Sequence, residues 1–244
     1  MRRCVLITGA SGGIGSAMAL AFAKNGDAVV LGYNKNSTAA KLLEQTLHDN
    51  DMPAISVQAD VADKAQVENL FKKAEAVFGP VNVLINNAGI AQQKLFTSIE
   101  EDEWDSMFNV HVKGTYLCCK RALPAMLRVH NGVIINISSI WGQVGASCES
   151  HYAAAKAAVI GLTKSLAKEE GPSNIRINCI APGVIETAMM ADFAAQTKEA
   201  LKEEIPLGRL GSPQEVAEVA VFLASDAAKY ITGQVIAPNG GFCI

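Results

Sequence analysis

Thr8-Gly9-Ala10-Ser11-Gly12-Gly13-Ile14-Gly15 follows the apolar run Cys4-Val5-Leu6-Ile7 and leads into a stretch with helical apolar spacing at 14–24. The run is short and apolar, as a strand buried on both faces would be. Glycines at 9, 13 and 15 form a GxxxGxG pattern, which suits a tight turn that lets backbone approach a ligand closely. A helix that starts there offers free N–H groups and a partial positive charge to a pyrophosphate. Gly9, Ser11, Gly12, Gly13, Ile14 and Gly15 are therefore candidate dinucleotide contacts. A glycine turn without a ligand is the competing reading, and what surrounds the motif decides between them.

The same alternation continues outward. Apolar runs at 4–8, 28–32, 54–59, 81–86, 132–138, 175–180 and 234–238 read as strands, and most are rich in Val and Ile. Helix-length patterns lie between them, among others at 14–24, 65–78, 104–127, 151–170 and 213–224. Strict β–α alternation implies right-handed crossovers. The expected fold class is α/β: a Rossmann fold of one domain over 1–244, with a doubly wound, parallel, seven-stranded sheet and helices on both faces. The polar stretch 186–208 has no strand signal and is expected to form a helical lid.

Composition narrows the class. Half of the 244 residues are hydrophobic, and the net charge is −3 with both signs mixed along the chain. No basic block calls for nucleic acid, and no apolar run approaches the roughly 18 residues of a membrane helix. The N-terminal apolar run enters the glycine motif too soon for a signal peptide. Cysteines at 4, 118, 119, 148, 179 and 243 show no CxxC spacing. They read as small hydrophobes in a reducing cytoplasm, and no metal site is expected.

The end of the second strand bears on cofactor choice. An acid there would bind ribose hydroxyls and repel a 2′-phosphate. Gly32-Tyr33-Asn34-Lys35-Asn36-Ser37 has none. Lys35 can neutralise a 2′-phosphate, with Asn34 and Ser37 as hydrogen-bonding partners, so NADP(H) is the expected cofactor; a solvated surface lysine is the other reading. Asp60 and Val61 are candidates for the adenine edge. Asn86-Asn87-Ala88-Gly89 ends the fourth strand, where a ligand crevice opens in such sheets. Asn87, Ala88 and Gly89 are taken as cofactor contacts, while Asn86 also suits a structural role. Pro182, Gly183, Ile185 and Thr187 close the sixth strand and can hold the nicotinamide end.

Tyr152 lies thirteen residues after Ser139, and Lys156 follows four later, on the same helical face. A free phenol has a pKa near 10. An ammonium beside it should lower that value, fitting Tyr152 for proton transfer, while Ser139 binds the substrate oxygen. Tyr152 and Lys156 also count as cofactor contacts. YxxxK alone is common; joined to the upstream serine and the glycine turn it points to carbonyl reduction. A non-catalytic dinucleotide-binding sensor on the same fold is the alternative from another class.

These residues resemble the short-chain dehydrogenase/reductase superfamily through TGASGGIG at 8–15, NNAG at 86–89, Ser139, YAAAK at 152–156 and PGVIET at 182–187. The tail, with Ile205-Pro206-Leu207-Gly208-Arg209-Leu210-Gly211, Tyr230-Ile231-Thr232-Gly233 and Asn239-Gly240-Gly241, is similar to bacterial 3-oxoacyl-acyl-carrier-protein reductases. That resemblance implies NADPH, a homotetramer and a β-ketoacyl thioester substrate. Three departures stand out. Counting from Trp104, the position of the family's catalytic asparagine is His111, either a proton-relay substitute or a packed ring. The basic residues implied to dock the carrier protein read His130 and Ser173, with Arg128 close by. The loop from Ser138 to Glu149 resembles elongation factor P 5-aminopentanone reductases, which implies a ketone bearing an amine. Glu149 can pair with such a cation or simply sit in solvent, and Trp141 can line the pocket or fill a gap.

Overall fold

A computed structural model describes residues 2–187 and 195–244. Residues 188–194, within the lid expected over 186–208, lie outside the described residues. The strands are β1 (Cys4–Thr8), β2 (Ala28–Tyr33), β3 (Ala54–Gln58), β4 (Val81–Asn86), β5 (Gly132–Ile137), β6 (Ile175–Ile180) and β7 (Val235–Ile236). They form one sheet in the order β3-β2-β1-β4-β5-β6-β7, and every pairing is parallel. β1, β2 and β5 are buried at every residue, which is why they read as unbroken apolar runs.

The helices are α1 (Gly13–Lys24), α2 (Ser37–His48), α3 (Lys64–Phe78), α4 (Glu101–Phe108), α5 (Gly114–Val129), α6 (Trp141–Val144), α7 (Ser150–Glu170), α8 (Ala195–Glu204) and α9 (Pro213–Leu223). Two apolar clusters cover the two faces of the sheet. One joins Val5, Ile7, Val29 and Ile135 to α1 and α9 residues such as Phe22 and Leu223. The other joins Leu6, Val30, Leu84 and Ile134 to Phe71 of α3 and Met126 of α5. Alternate residues of one strand therefore enter opposite cores, as the two-residue period of a strand requires.

The helix expected over 104–127 is two helices. A π-helical turn, Asn109–Lys113, separates α4 from α5 and carries His111. One extra residue per turn leaves the apolar spacing nearly unchanged, so periodicity does not reveal it; such turns concentrate at functional sites. The strands at 54–59, 132–138 and 234–238 are shorter than expected, and 28–32 runs one residue longer. Within the polar 186–208 stretch, α8 is helical as expected.

A buried polar ladder crosses the sheet above these cores. Asn86 donates Nδ2 to Oδ1 of Asn136 at 2.8 Å, and Asn136 donates Nδ2 to Thr163 Oγ1 at 2.9 Å. The two asparagines face one another in the β4–β5 register. Asn136→Leu should cost roughly 1–3 kcal/mol of unfolding free energy, because it strips partners from buried amide and hydroxyl groups. Urea titration measures this; an unchanged midpoint would show that the ladder contributes nothing.

Candidate functional site

Between β1 and β4 the strand order reverses, and the two crossovers depart to opposite faces. Ligands bind at such switch points, beyond the carboxyl ends of the strands. Thr8 closes this point. Its Oγ1 accepts the N–H groups of Asn87 and Ala88, both at 3.0 Å. Asn87 donates Nδ2 to the carbonyls of Thr8 and Gly9, at 3.0 and 3.1 Å. The Asn87 amide thus holds the glycine turn, and Thr8 joins the site although the sequence had not singled it out. Its signal was a hydroxyl at a buried strand end.

The turn requires its glycines. Gly9 has φ +66°, and a Cβ there would stand 2.8 Å from Ala88 Cα. A Cβ on Gly15 would strike the Gly9 carbonyl oxygen, and one on Gly13 would stand 3.0 Å from Thr187 Cγ2. Thr187 therefore leans over the turn from the β6 end. At the start of α1, Gly12 supplies no capping side chain, and the first helical turn has no acid. These donors and this shallow cradle fit a dinucleotide pyrophosphate.

Past β2, Asn34, Lys35 and Ser37 are all exposed, and Lys35 forms no ion pair among the described residues. Asn36 caps α2 by accepting from Ala39 N, and Ser37 begins that helix. Asp60 accepts from Ala62 N at 2.9 Å, whereas Val61 is buried. A Cβ on Gly114 would stand 2.7 Å from Val61 Cγ2. Beyond β6, Pro182 receives the Ile140 N–H, Gly183 lies against Asn239, and Ile185 bridges to Gly211.

The other half of the site collects at the ends of β5 and α7. Ser139 and Lys156 are buried, and Tyr152 is half-buried. Ser139 Oγ accepts the Trp141 N–H at 3.2 Å, which leaves its own proton to donate. The Tyr152 side chain lies beside that of Ser139. Lys156 donates Nζ to the Ile137 carbonyl at 2.8 Å and stands 5.6 Å from the Tyr152 ring centre. Burial lowers the lysine to about 8, from an ordinary 10.5.

The tyrosine corrects an expectation. Burial pushes its phenol up to about 12, the Ser139 hydrogen bond opposes this, and the Glu149 carboxylate adds to it. Desolvation dominates, and the phenol holds its proton at neutral pH.

His111 is buried in the π-helical turn. Its Nε2 lies 2.8 Å from the Ile90 carbonyl oxygen and 3.2 Å from the Ile90 nitrogen. Its ring meets Tyr152 edge-on at 5.4 Å. A Cβ on Gly89 would stand 2.5 Å from His111 Cε1, so the glycine of NNAG makes room for this ring. Burial, then the Lys156 charge, lower the imidazole to about 3, against the Ile90 hydrogen bond.

Glu149 is half-buried and accepts from Gln93 Nε2 at 3.2 Å. Trp141 meets Phe242 edge-on at 5.7 Å. Phe242 itself packs with Ile205 and Leu210, below α8. No local pattern could have revealed this contact between chain regions so far apart. Among the described residues, no helix is long and apolar enough to cross a membrane, and no His, Cys, Asp and Glu cluster is placed to hold a metal ion.

A family model described as enoyl-(acyl carrier protein) reductase matches residues 9–243. The chain is 41% identical to 3-oxoacyl-[acyl-carrier-protein] reductase of Staphylococcus aureus (strain N315) over 241 residues, covering 99% of this chain and 98% of that one. It is also 41% identical to the Thermotoga maritima protein of the same name, over 98% and 97% of the two chains. A Bacillus subtilis (strain 168) protein, uncharacterized oxidoreductase YmfI, is 39% identical over 99% of each chain.

The depressed His111 pKa carries a sign. Such a ring binds fewer protons folded than unfolded, so its contribution to stability is whole above pH 6.5 and is lost as pH falls towards 3. His111→Asn should therefore lose roughly 2 kcal/mol less stability than the parent between about pH 6.5 and 4.5. Urea unfolding at the two pH values measures this, and parallel losses would refute it.

Proposed function

Because the chain belongs to the short-chain dehydrogenase/reductase family and is an oxidoreductase acting on CH–OH and C=O groups, we propose that it uses NADPH to reduce a 3-oxoacyl thioester of the kind carried by acyl carrier protein, as in fatty acid synthesis. The observation that carries this reading is the meeting of Ser139, Tyr152 and Lys156 at the end of β5, across the crevice from the glycine turn.

NADPH, when bound, supplies a hydride. Gly9, Ser11, Gly12, Gly13, Ile14 and Gly15 hold the pyrophosphate against α1. Lys35, with Asn34 and Ser37, meets the 2′-phosphate, and the exposure of all three supports this. Asp60 and the Val61 backbone border the adenine. The backbone of Asn87, Ala88 and Gly89 lines the crevice. Pro182, Gly183, Ile185 and Thr187 orient the nicotinamide, with Thr187 already over the turn.

Tyr152 donates its phenolic proton to the ketone oxygen, and the raised pKa keeps that proton in place beforehand. Ser139 donates a hydrogen bond to the same oxygen as negative charge grows on it. The Lys156 ammonium stabilises the phenolate that Tyr152 leaves behind. His111 is neutral, so it anchors Ile90 and does not act as an acid.

A second reading concerns the substrate alone. Glu149 is close enough to raise the Tyr152 pKa and has no cationic partner among the described residues. An amine-bearing ketone, such as the 5-aminopentanone on elongation factor P, would supply that cation. Trp141 would form the adjoining wall of the pocket. We further propose a cytoplasmic homotetramer, its 1–244 chain forming one domain: Cys4, Cys118, Cys119 and Cys179 are buried free thiols, and α5 exposes Tyr116 and Val129.

Tyr152→Phe should cut ketone turnover at least about 100-fold while leaving NADPH binding intact. Retained turnover would refute its role, and a parent protein that binds NADPH yet reduces no ketone would favour a sensor. Lys35→Ala should raise KM for NADPH far more than for NADH, and equal changes would overturn the NADP assignment. Parallel assays on a 3-oxoacyl carrier substrate and on aminopentanone-modified elongation factor P separate the two substrates; the true one gains two hydrogens in mass at the higher kcat/KM.

A further inference from the structure

His151 immediately precedes Tyr152 on α7, and its side chain is fully buried. No step above uses it. Its Nε2 lies 2.9 Å from Oε1 of Gln92, in the loop that follows β4. Gln92 donates Nε2 to Oε1 of Glu103 on α4 at 2.7 Å, and Lys94 donates Nζ to the other carboxylate oxygen at 2.6 Å. The backbone joins the same knot. Glu100 N donates to Glu103 at 2.8 Å, and Lys94 N donates to the Cys148 carbonyl at 2.7 Å. Loop, α4 and the start of α7 are thereby tied together.

The knot has one possible donor order. The Lys94 hydrogen bond, then the Glu100 N–H and the Gln92 amide, hold the Glu103 carboxyl down at about 2, so it is ionised and only accepts. Gln92 must therefore turn its NH2 to Glu103 and its carbonyl oxygen to His151. That oxygen only accepts, so His151 Nε2 carries the proton. In the neutral ring Nδ1 then holds a lone pair; it is buried without a hydrogen-bonding partner among the described residues. One carboxylate thus dictates a tautomer two side chains away. An apolar pair would fill this space without desolvation cost; a directional bond additionally fixes the register of the loop.

That loop begins at Gly89, under the His111 ring, and includes Ile90, which His111 holds. We propose that His151 is a positioning residue: through Gln92 and Glu103 it locks the 89–94 loop to the catalytic helix, and so sets one wall of the ketone pocket and the seat of His111. This rests on the reading of the protein as a ketone reductase.

Kinetics of the full chain with NADPH and ethyl acetoacetate, a soluble 3-oxo ester, test it. His151→Phe and Gln92→Leu should each raise the ketone KM roughly tenfold, and the double variant should be no worse than the worse single, as expected of directly coupled partners. KM for NADPH should not move. His151→Gln, which keeps a donor, should recover most of the ketone KM. Additive losses, or an unchanged ketone KM with a lowered melting temperature, would make His151 a packing residue and overturn the proposal. Nitrogen NMR of the His151 ring supplies a readout that needs neither turnover nor the His151→Phe variant. The Nε2–H proton should be shifted downfield and slow to exchange in the parent, and should lose both features in Gln92→Leu; a shift and protection that persist in Gln92→Leu overturn the proposal. A parent protein inert towards ketones, with that signature behaving as expected, overturns the reductase reading and leaves the knot standing.

Discussion

The clasp between Thr8 and Asn87 is the contact on which the rest of the site depends. β1 and β4 are neighbours in the sheet although three crossovers separate them in the chain. Their ends must be held at one height if a glycine turn and a substrate loop are to face a common crevice. Thr8 Oγ1 receives two N–H groups from the β4 end, and the Asn87 amide returns two bonds to the β1 end. Gly9 and Gly15 follow from this closeness, since a Cβ at either would strike backbone. The shape of the glycine turn is as much a product of the β4 loop as of its own sequence.

Burial then sets the chemistry. Tyr152 is half-buried and Lys156 and His111 are buried beside it, and each shifts towards its neutral form: the phenol rises to about 12, the lysine falls to about 8, and the imidazole falls to about 3. Near neutral pH these values leave a protonated phenol, a largely protonated amine and an uncharged ring. Desolvation acts on all three, while the hydrogen bonds from Ser139 and to Ile90 pull the other way. In the proposed reaction Tyr152 would release its proton beside a cation that could stabilise the charge left behind.

Much of this was legible in the chain. β1, β2 and β5 were readable because both their faces are buried, which forces continuous apolar runs. Ser139, Tyr152 and Lys156 were readable because a strand end and one helical face bring them together by local geometry alone. The π-helical turn was not, since one added residue hardly disturbs the 104–127 apolar pattern. Nor was the direction of the Tyr152 shift. The spacing shows a lysine nearby, but the degree of water exclusion depends on every element packed around the ring.

The sequence by itself determined the order of strands and helices, the glycine turn and the candidate trio of Ser139, Tyr152 and Lys156, because each is encoded within a few residues by period, spacing and backbone freedom. Only the tertiary structure decided that Asn87 grips the turn, that Gly89 clears a space for His111, that Phe242 backs Trp141, and that Gln92 links His151 to Glu103. Those pairings join residues distant in the chain. Each is set by which side chains the parallel sheet brings within hydrogen-bonding or van der Waals reach, and no periodicity along a single chain carries that information.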